Sequence, residues 1–202
     1  MGDKQVFQPL TREDKITVVL YRLGIVISML IMSGLAGLLV KESSNAINAA
    51  GIGSSTDILI YGLYASIGIS VFFIHLYISK IKGYLKNLYF ISLGCLIVLI
   101  AVGKGSLSTA LVHVPYGPLL LLPLSGCLGI VTAKEAFCFK LFEGYLLAII
   151  MPIYLLLVSG NILAGQGASY GLALIAVMLI MFTLRKVFMP IAYDIGDKSA
   201  YH

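Results

Sequence analysis

The sequence contains few charged residues. Only 11% of its 202 residues are Asp, Glu, Lys or Arg, whereas 59% are hydrophobic, and the mean hydropathy is +1.00. An average soluble domain has about 25% charged and about 45–50% apolar residues. No charge occurs in residues 23–40 or 144–184, which is enough chain for one and for two membrane crossings, respectively. This composition excludes a soluble globular domain.

Cysteine is also scarce, and tryptophan is absent. Cys95, Cys127 and Cys138 have no CxxC or Cys/His spacing, so neither a disulfide framework nor a zinc site is indicated, and we expect buried, inert thiols. The sequence has no GxSxG elbow, HExxH helix, Walker loop or GxGxxG motif after a strand. Because these motifs carry the chemistry of large enzyme classes, we predict a protein that is not an enzyme and has no cofactor.

The apolar segments predict an all-α, polytopic membrane protein built as a bundle of six transmembrane helices. The expected helices cover residues 16–40, 58–79, 87–103, 114–133, 144–160 and 168–184. Pro115, Pro118 and Pro123 fall in the first half of the fourth. A proline removes a backbone donor and clashes with the preceding turn, so we predict that the fourth helix is bent or interrupted.

The distribution of positive charge predicts the orientation of the chain. Of the 14 lysines and arginines, alternate threading puts only Lys41 and Lys104 on one side of the membrane. Cytoplasmic loops carry the excess of Lys and Arg, so residues 1–15 and 185–202 are predicted to be cytoplasmic or stromal tails of a membrane domain at 16–184. The net charge of +5 is explained by this bias, and we expect no nucleic-acid partner. Arg22 is expected to reach back to the interface, with a buried counter-ion as the alternative.

The strongest conflict between polar and apolar residues lies between the fourth and fifth predicted helices. Lys134, Glu135, Lys140 and Glu143 occur there, beside apolar segments. One interpretation is a charged connector with aromatic anchors, in which a helical segment would place Lys140 and Glu143 on one face. The other is that Glu135 and Glu143 turn into a cavity as ion, proton or metal ligands. His75 is expected within reach of the same layer.

These features leave three functional hypotheses open. The first is a non-enzymatic scaffold or assembly partner of a membrane complex, in which stripes of small residues, such as Gly62, Ser66 and Ser70, contact other membrane proteins or a second copy. The second is a small-molecule or ion transporter or channel that uses Glu135 or Glu143. The third is a membrane-embedded metalloenzyme with a cation held by Glu135, Glu143 and His75.

The segment GIVTAKEAFCFKLFEGY, residues 129–145, carries a resemblance to a known family. With its glycine, Lys-Glu pair and Phe-Cys-Phe run, the chain resembles a family of uncharacterised integral membrane proteins found in cyanobacteria and plastids. The resemblance extends over most of the hydrophobic region. It implies a setting in the plasma membrane or thylakoid membrane of a photosynthetic cell, and it implies no activity or functional residue.

Overall fold

The computed structural model describes residues 11–44, 52–76, 79–191 and 194 of the chain. Its described part is all-helical and contains six helices long and apolar enough to cross a membrane. This confirms the predicted six-helix fold. The helices are α1 (Arg12–Ser44), α2 (Ile52–Phe73), α3 (Ser79–Val102), the short α4 (Leu107–His113), α5 (Leu122–Phe139), α6 (Phe142–Ser159) and α7 (Gln166–Val187).

Helix α1 begins inside the segment that was expected to be the N-terminal tail. The Thr11 hydroxyl accepts a hydrogen bond from the Asp14 N–H at 3.2 Å, and the Asp14 carboxylate accepts one from the Thr11 N–H at 2.9 Å. This reciprocal capping box satisfies two donors at the helix start. The helix therefore starts at Arg12 although its first turn is charged.

Two other helices also have boundaries that differ clearly from the prediction. Helix α2 begins at Ile52 and ends at Phe73, whereas residues 58–79 were expected. Helix α3 begins at Ser79 and includes the lysine-rich segment that was predicted to separate two helices. That segment can be helical because a long lysine side chain can carry its charge along apolar surface, as Lys86 does where its Nζ lies 5.7 Å from the centre of the Phe72 ring.

The fourth membrane span is interrupted at its start, as the prolines predict. After α4, the chain forms a 3₁₀ turn at Pro118–Leu121, and α5 follows directly with Pro123 in its first turn. Neither proline removes a hydrogen bond there, because the first turn of a helix has no intrahelical acceptor for its N–H groups. The prediction that this span ends near Ala133 is wrong, since α5 continues to Phe139.

Small residues bring α1 and α2 into close contact. A Cβ atom added to Gly24 would lie only 2.7 Å from the Ser66 carbonyl oxygen. The Ser28 and Ser66 hydroxyls are 2.8 Å apart, and the Ser70 hydroxyl donates to the Tyr21 carbonyl. The small-residue stripe on α2, which the scaffold hypothesis assigned to contacts with other proteins, is used here for packing within the chain.

The six spans form two halves with the same packing scheme. Helix α1 packs mainly on α2 and α7, and α5 packs mainly on α6 and α3; α2 also touches α3, as α6 touches α7. Exchanging α1–α3 with α5–α7 therefore reproduces the main contacts. Because each half crosses the membrane three times, the second half runs in the opposite direction to the first. Opposed three-helix halves are one requirement of an inverted-topology repeat, but the proline-containing 3₁₀ turn before α5 has no counterpart within α1.

Candidate functional site

The candidate site lies at the end of the bundle where α1 begins and α7 ends, here called the charged end. Arg22 of α1 contacts the chain just after α7, and Glu135 of α5 contacts Tyr21 of α1. At the other end, the Ser169 hydroxyl near the start of α7 donates to the Leu39 carbonyl of α1 at 3.2 Å. The beginning of α1 and the end of α7 therefore lie on the same side of the bundle.

Glu135 is the centre of a buried ion network formed by Arg22, Lys134, Glu135, Lys186 and Asp194. Its Oε1 accepts hydrogen bonds from Lys134 Nζ at 2.7 Å and from the Tyr21 hydroxyl at 2.7 Å. Its Oε2 forms an ion pair with Lys186 Nζ, which also pairs with Asp194 Oδ1. One carboxylate thus connects α1, α5 and α7.

Asp194 extends the ion network to α1. Its Oδ2 accepts from Arg22 Nε at 2.6 Å. The same guanidinium donates to the carbonyls of Val187, Met189 and Pro190 at 3.2, 2.7 and 3.2 Å. Arg22 thereby fixes the chain that follows α7. Arg22 is thus a counter-ion of Asp194, as the second interpretation predicted, with a side chain that is 11% exposed.

The ion network is almost completely shielded from the surroundings of the chain. The side chains of Glu135, Lys186 and Asp194 are at most 1% exposed, and those of Lys134 and Arg22 are 10% and 11% exposed. Three cations share two carboxylates, so the network has one positive charge in excess. Aromatic rings lie beside two of the cations, with Lys186 Nζ 4.0 Å from the Phe139 centroid and Lys134 Nζ 5.5 Å from that of Tyr21. The negative ring faces stabilise such buried charge.

The other predicted site residues lie outside this network. The αL conformation of Lys140 (φ 54°) ends α5, and α6 starts at Phe142, so Lys140 and Glu143 do not share a helix face, contrary to the prediction. Glu143 pairs instead with Arg185 at 2.5 Å, and the Arg185 side chain is 53% exposed. Glu135 and Glu143 therefore pair with different residues of α7: Glu135 with Lys186, and Glu143 with Arg185.

His75 follows the end of α2 and contacts α1. Its Nε2 is 3.3 Å from the Thr17 hydroxyl, whereas Nδ1 is buried and has no hydrogen-bond partner among the described residues. Partial burial, and then the positive charges of Lys82 and Lys134, hold the pKa of His75 below its ordinary value. Because the neutral ring is favoured, Thr17 contacts an uncharged imidazole.

The structure does not bring Glu135, Glu143 and His75 together as a metal site. Within the described ranges, no group of three His, Cys, Asp or Glu side chains is placed to hold a metal ion. The expectation that all three cysteines are buried is also wrong: Cys127 is buried, Cys95 is intermediate, and Cys138 is exposed, and all are free thiols.

Sequence reasoning missed part of the site. Tyr21, which is 1% exposed, was not among the predicted site residues, and Lys186 and Asp194 fall in the segment predicted to be a cytoplasmic tail. Arg22 was the residue that could have indicated the ion network from the sequence. It precedes a long uncharged segment, and a cation that is buried there requires an acidic partner. Asp194 is one of only nine acidic residues in the chain, which limits the choice of that partner.

Comparison with protein-family models gives one finding about identity. A model described as an uncharacterized integral membrane protein (DUF2301) matches residues 69–202. The match covers about two thirds of the chain and includes four of the five residues of the ion network. Searches of curated proteins and of solved structures found no match.

Proposed function

The chain belongs to this DUF2301 family of integral membrane proteins, and on that premise we propose that it is a small secondary transporter. The ion network is the gate that closes its charged end. The single observation that carries this proposal is that the network joins the two halves of the bundle. Tyr21 and Arg22 come from the first half, and their partners Glu135 and Asp194 come from the second.

The free-energy cost of burying the charges of the ion network supports a functional role for it. Ionisable residues within membrane-spanning helices are costly and usually mark ion or substrate pathways. A network that only joined helices could be replaced by apolar packing, which is often neutral or stabilising. The two oppositely oriented halves are the proposed moving parts, because such halves rock against each other during alternating access in many transporters.

The excess positive charge favours an anionic solute. An anion that enters the charged end can compete with Glu135 or Asp194 for Lys186 and so weaken the bridge between the halves. Protonation of either carboxylate would have the same effect. Transport of this kind involves no covalent chemistry and requires neither a metal nor a cofactor.

Reconstitution tests this function. Proteoliposomes on a solid-supported membrane are exposed to steps of small inorganic and organic anions, and transient currents are recorded. We expect the wild type to give a current with at least one anion, Glu135→Gln to abolish it, and Glu143→Gln to retain it because that pair lies outside the gate. A current that is unchanged in Glu135→Gln would remove the network from the mechanism.

We also propose that the charged end faces the cytoplasm or stroma, in a plasma or thylakoid membrane. Apart from Lys41 and Lys104, the lysines and arginines of the described helices and connections lie toward this end, as the positive-inside bias requires. An N-terminal tag should be digested by protease in vesicles that expose the cytoplasmic or stromal face and protected in vesicles that expose the opposite face. The opposite result would reverse the orientation.

A second candidate function, an assembly partner of a membrane complex, is favoured by the outer face of α3. Gly83 and Gly94 have open space where a Cβ would lie, and Asn87 between them is exposed. Small residues allow close helix contact, and an amide can bond across helices in lipid. Gly94→Leu should then abolish a larger complex on native gels, whereas Gly37→Leu, at an open position on α1, should not. A monomeric wild type in mild detergent would contradict this candidate.

A further inference from the structure

A groove lies on the outer surface between the end of α5 and the start of α6. Its volume is about 260 Å³, and it is lined by Ala136, Phe137, Lys140, Phe142 and Tyr145. The two phenylalanine side chains are largely exposed, at 80% for Phe137 and 68% for Phe142. One candidate membrane span ends at Phe139 and the next begins at Phe142, so the groove is expected at the level of the lipid headgroups.

The chain reversal between the two helices produces the groove. Lys140 adopts the αL conformation with φ 54°, and Leu141, fully buried, anchors the turn before α6 begins. Phe137 and Phe142 precede and follow this turn, so an aromatic ring lies on each side of an exposed lysine. The result is an apolar groove with a positive charge at its mouth.

The charge at this mouth is available to a ligand. Among the residues that the structure describes, Lys140 has no ion-pair partner. The nearest carboxylate along the chain, that of Glu143, already pairs with Arg185 at 2.5 Å. A phosphate at the groove would therefore meet an uncompensated ammonium group.

We propose that this groove binds an anionic phospholipid, with its phosphate at Lys140 and the upper part of an acyl chain between the aromatic rings. The occupant follows from charge complementarity and from depth, since an integral membrane protein is surrounded by lipid at this level. A lysine near an anionic membrane surface contributes about 1 kcal/mol, which corresponds to about a fivefold preference over a zwitterionic lipid. This site is independent of the proposed transport function.

Native mass spectrometry of the purified chain tests the site directly. The protein is titrated with phosphatidylglycerol and with phosphatidylcholine of the same acyl chains. We expect the wild type to bind the anionic lipid about fivefold more tightly, and Lys140→Gln to lose this preference. Lys104→Gln is the matched control, because Lys104 is exposed and has a similar φ of 52° after α3 at the opposite end; it should keep the preference.

Two further arms identify the ligand. Phe137→Ala should weaken binding of both lipids, since it removes one wall of the groove, and excess inorganic phosphate should not displace the anionic lipid. Displacement by phosphate would show a site for a free anion and overturn the lipid assignment. Equal binding of both lipids by the wild type, or equal losses in Lys140→Gln and Lys104→Gln, would overturn the site.

Discussion

Replacing Glu135 with glutamine should destabilise the bundle strongly. The side chain is 0% exposed, and its carboxylate accepts contacts from Lys134, Lys186 and the Tyr21 hydroxyl. Glutamine keeps the shape but removes the charge, so three cations would share the single carboxylate of Asp194. Removing one partner of a buried ion pair costs about 3–5 kcal/mol.

The assay is thermal unfolding in detergent, with equilibrium unfolding in mixed micelles as a second measure. For a chain of this length, 1 kcal/mol corresponds to about 2–4 °C in Tm, so we expect Tm to fall by about 6–20 °C. The control is Glu143→Gln. Its ion-pair partner Arg185 is 53% exposed, and exposed pairs contribute about 0–1 kcal/mol.

A second substitution separates charge imbalance from lost packing. In the double variant Glu135→Gln, Lys186→Gln, the network returns to one excess positive charge, because one cation and one carboxylate are both removed. We expect the double variant to recover more than half of the stability lost in Glu135→Gln. The buried network is refuted if Glu135→Gln costs no more stability than Glu143→Gln. It is also refuted if the double variant loses as much stability as the single variants Glu135→Gln and Lys186→Gln lose together.

Two other predictions concern packing and pH. Gly24→Ala should lower the free energy of unfolding by about 1–3 kcal/mol, the usual cost of overpacking, because its Cβ would lie 2.7 Å from the Ser66 carbonyl oxygen. The control Gly94→Ala has open space around it and should raise the free energy of unfolding by up to about 1 kcal/mol through helix propensity. Equal effects of the two substitutions would contradict the close α1–α2 contact. Because the pKa of His75 is lowered in the folded state, the unfolded chain binds a proton at this residue first as the pH falls. Tm should therefore decrease as the pH drops below about 6.5 and level off below the folded pKa, and His75→Gln should remove this pH dependence of Tm. A wild-type Tm that rises as the pH falls over this range would contradict the prediction.

The number of spans and the interruption of the fourth could be predicted because both depend on local sequence. A membrane helix requires about 20 apolar residues in succession, and the three prolines near its start act on their own turns. Helix ends were predicted less well. The start of α1 depends on the reciprocal bonds of Thr11 and Asp14. The continuation of α5 depends on the pairing of Glu135 with Lys134 and with Lys186 of α7.

The ion network could be predicted only in part. The Lys-Glu pair at residues 134 and 135 stood out because its flanks are apolar, but its position at a predicted connector concealed its burial. Arg22 and Asp194 are 172 residues apart, and no periodicity or motif relates them. Pairing across such a distance follows from the packing of α1 against α7, which composition does not specify.

The most direct test of the gate is the reaction of a membrane-impermeant maleimide with single cysteines at the two ends of α1. In a background without the three native cysteines, Val18→Cys reports on the charged end and Ala36→Cys on the opposite end; both native side chains are buried, at 0% and 4% exposure. If the ion network closes a gate between the two halves, adding Glu135→Gln should raise the labelling rate at position 18 and not that at position 36. Rates that rise together, or that do not change, would contradict the account.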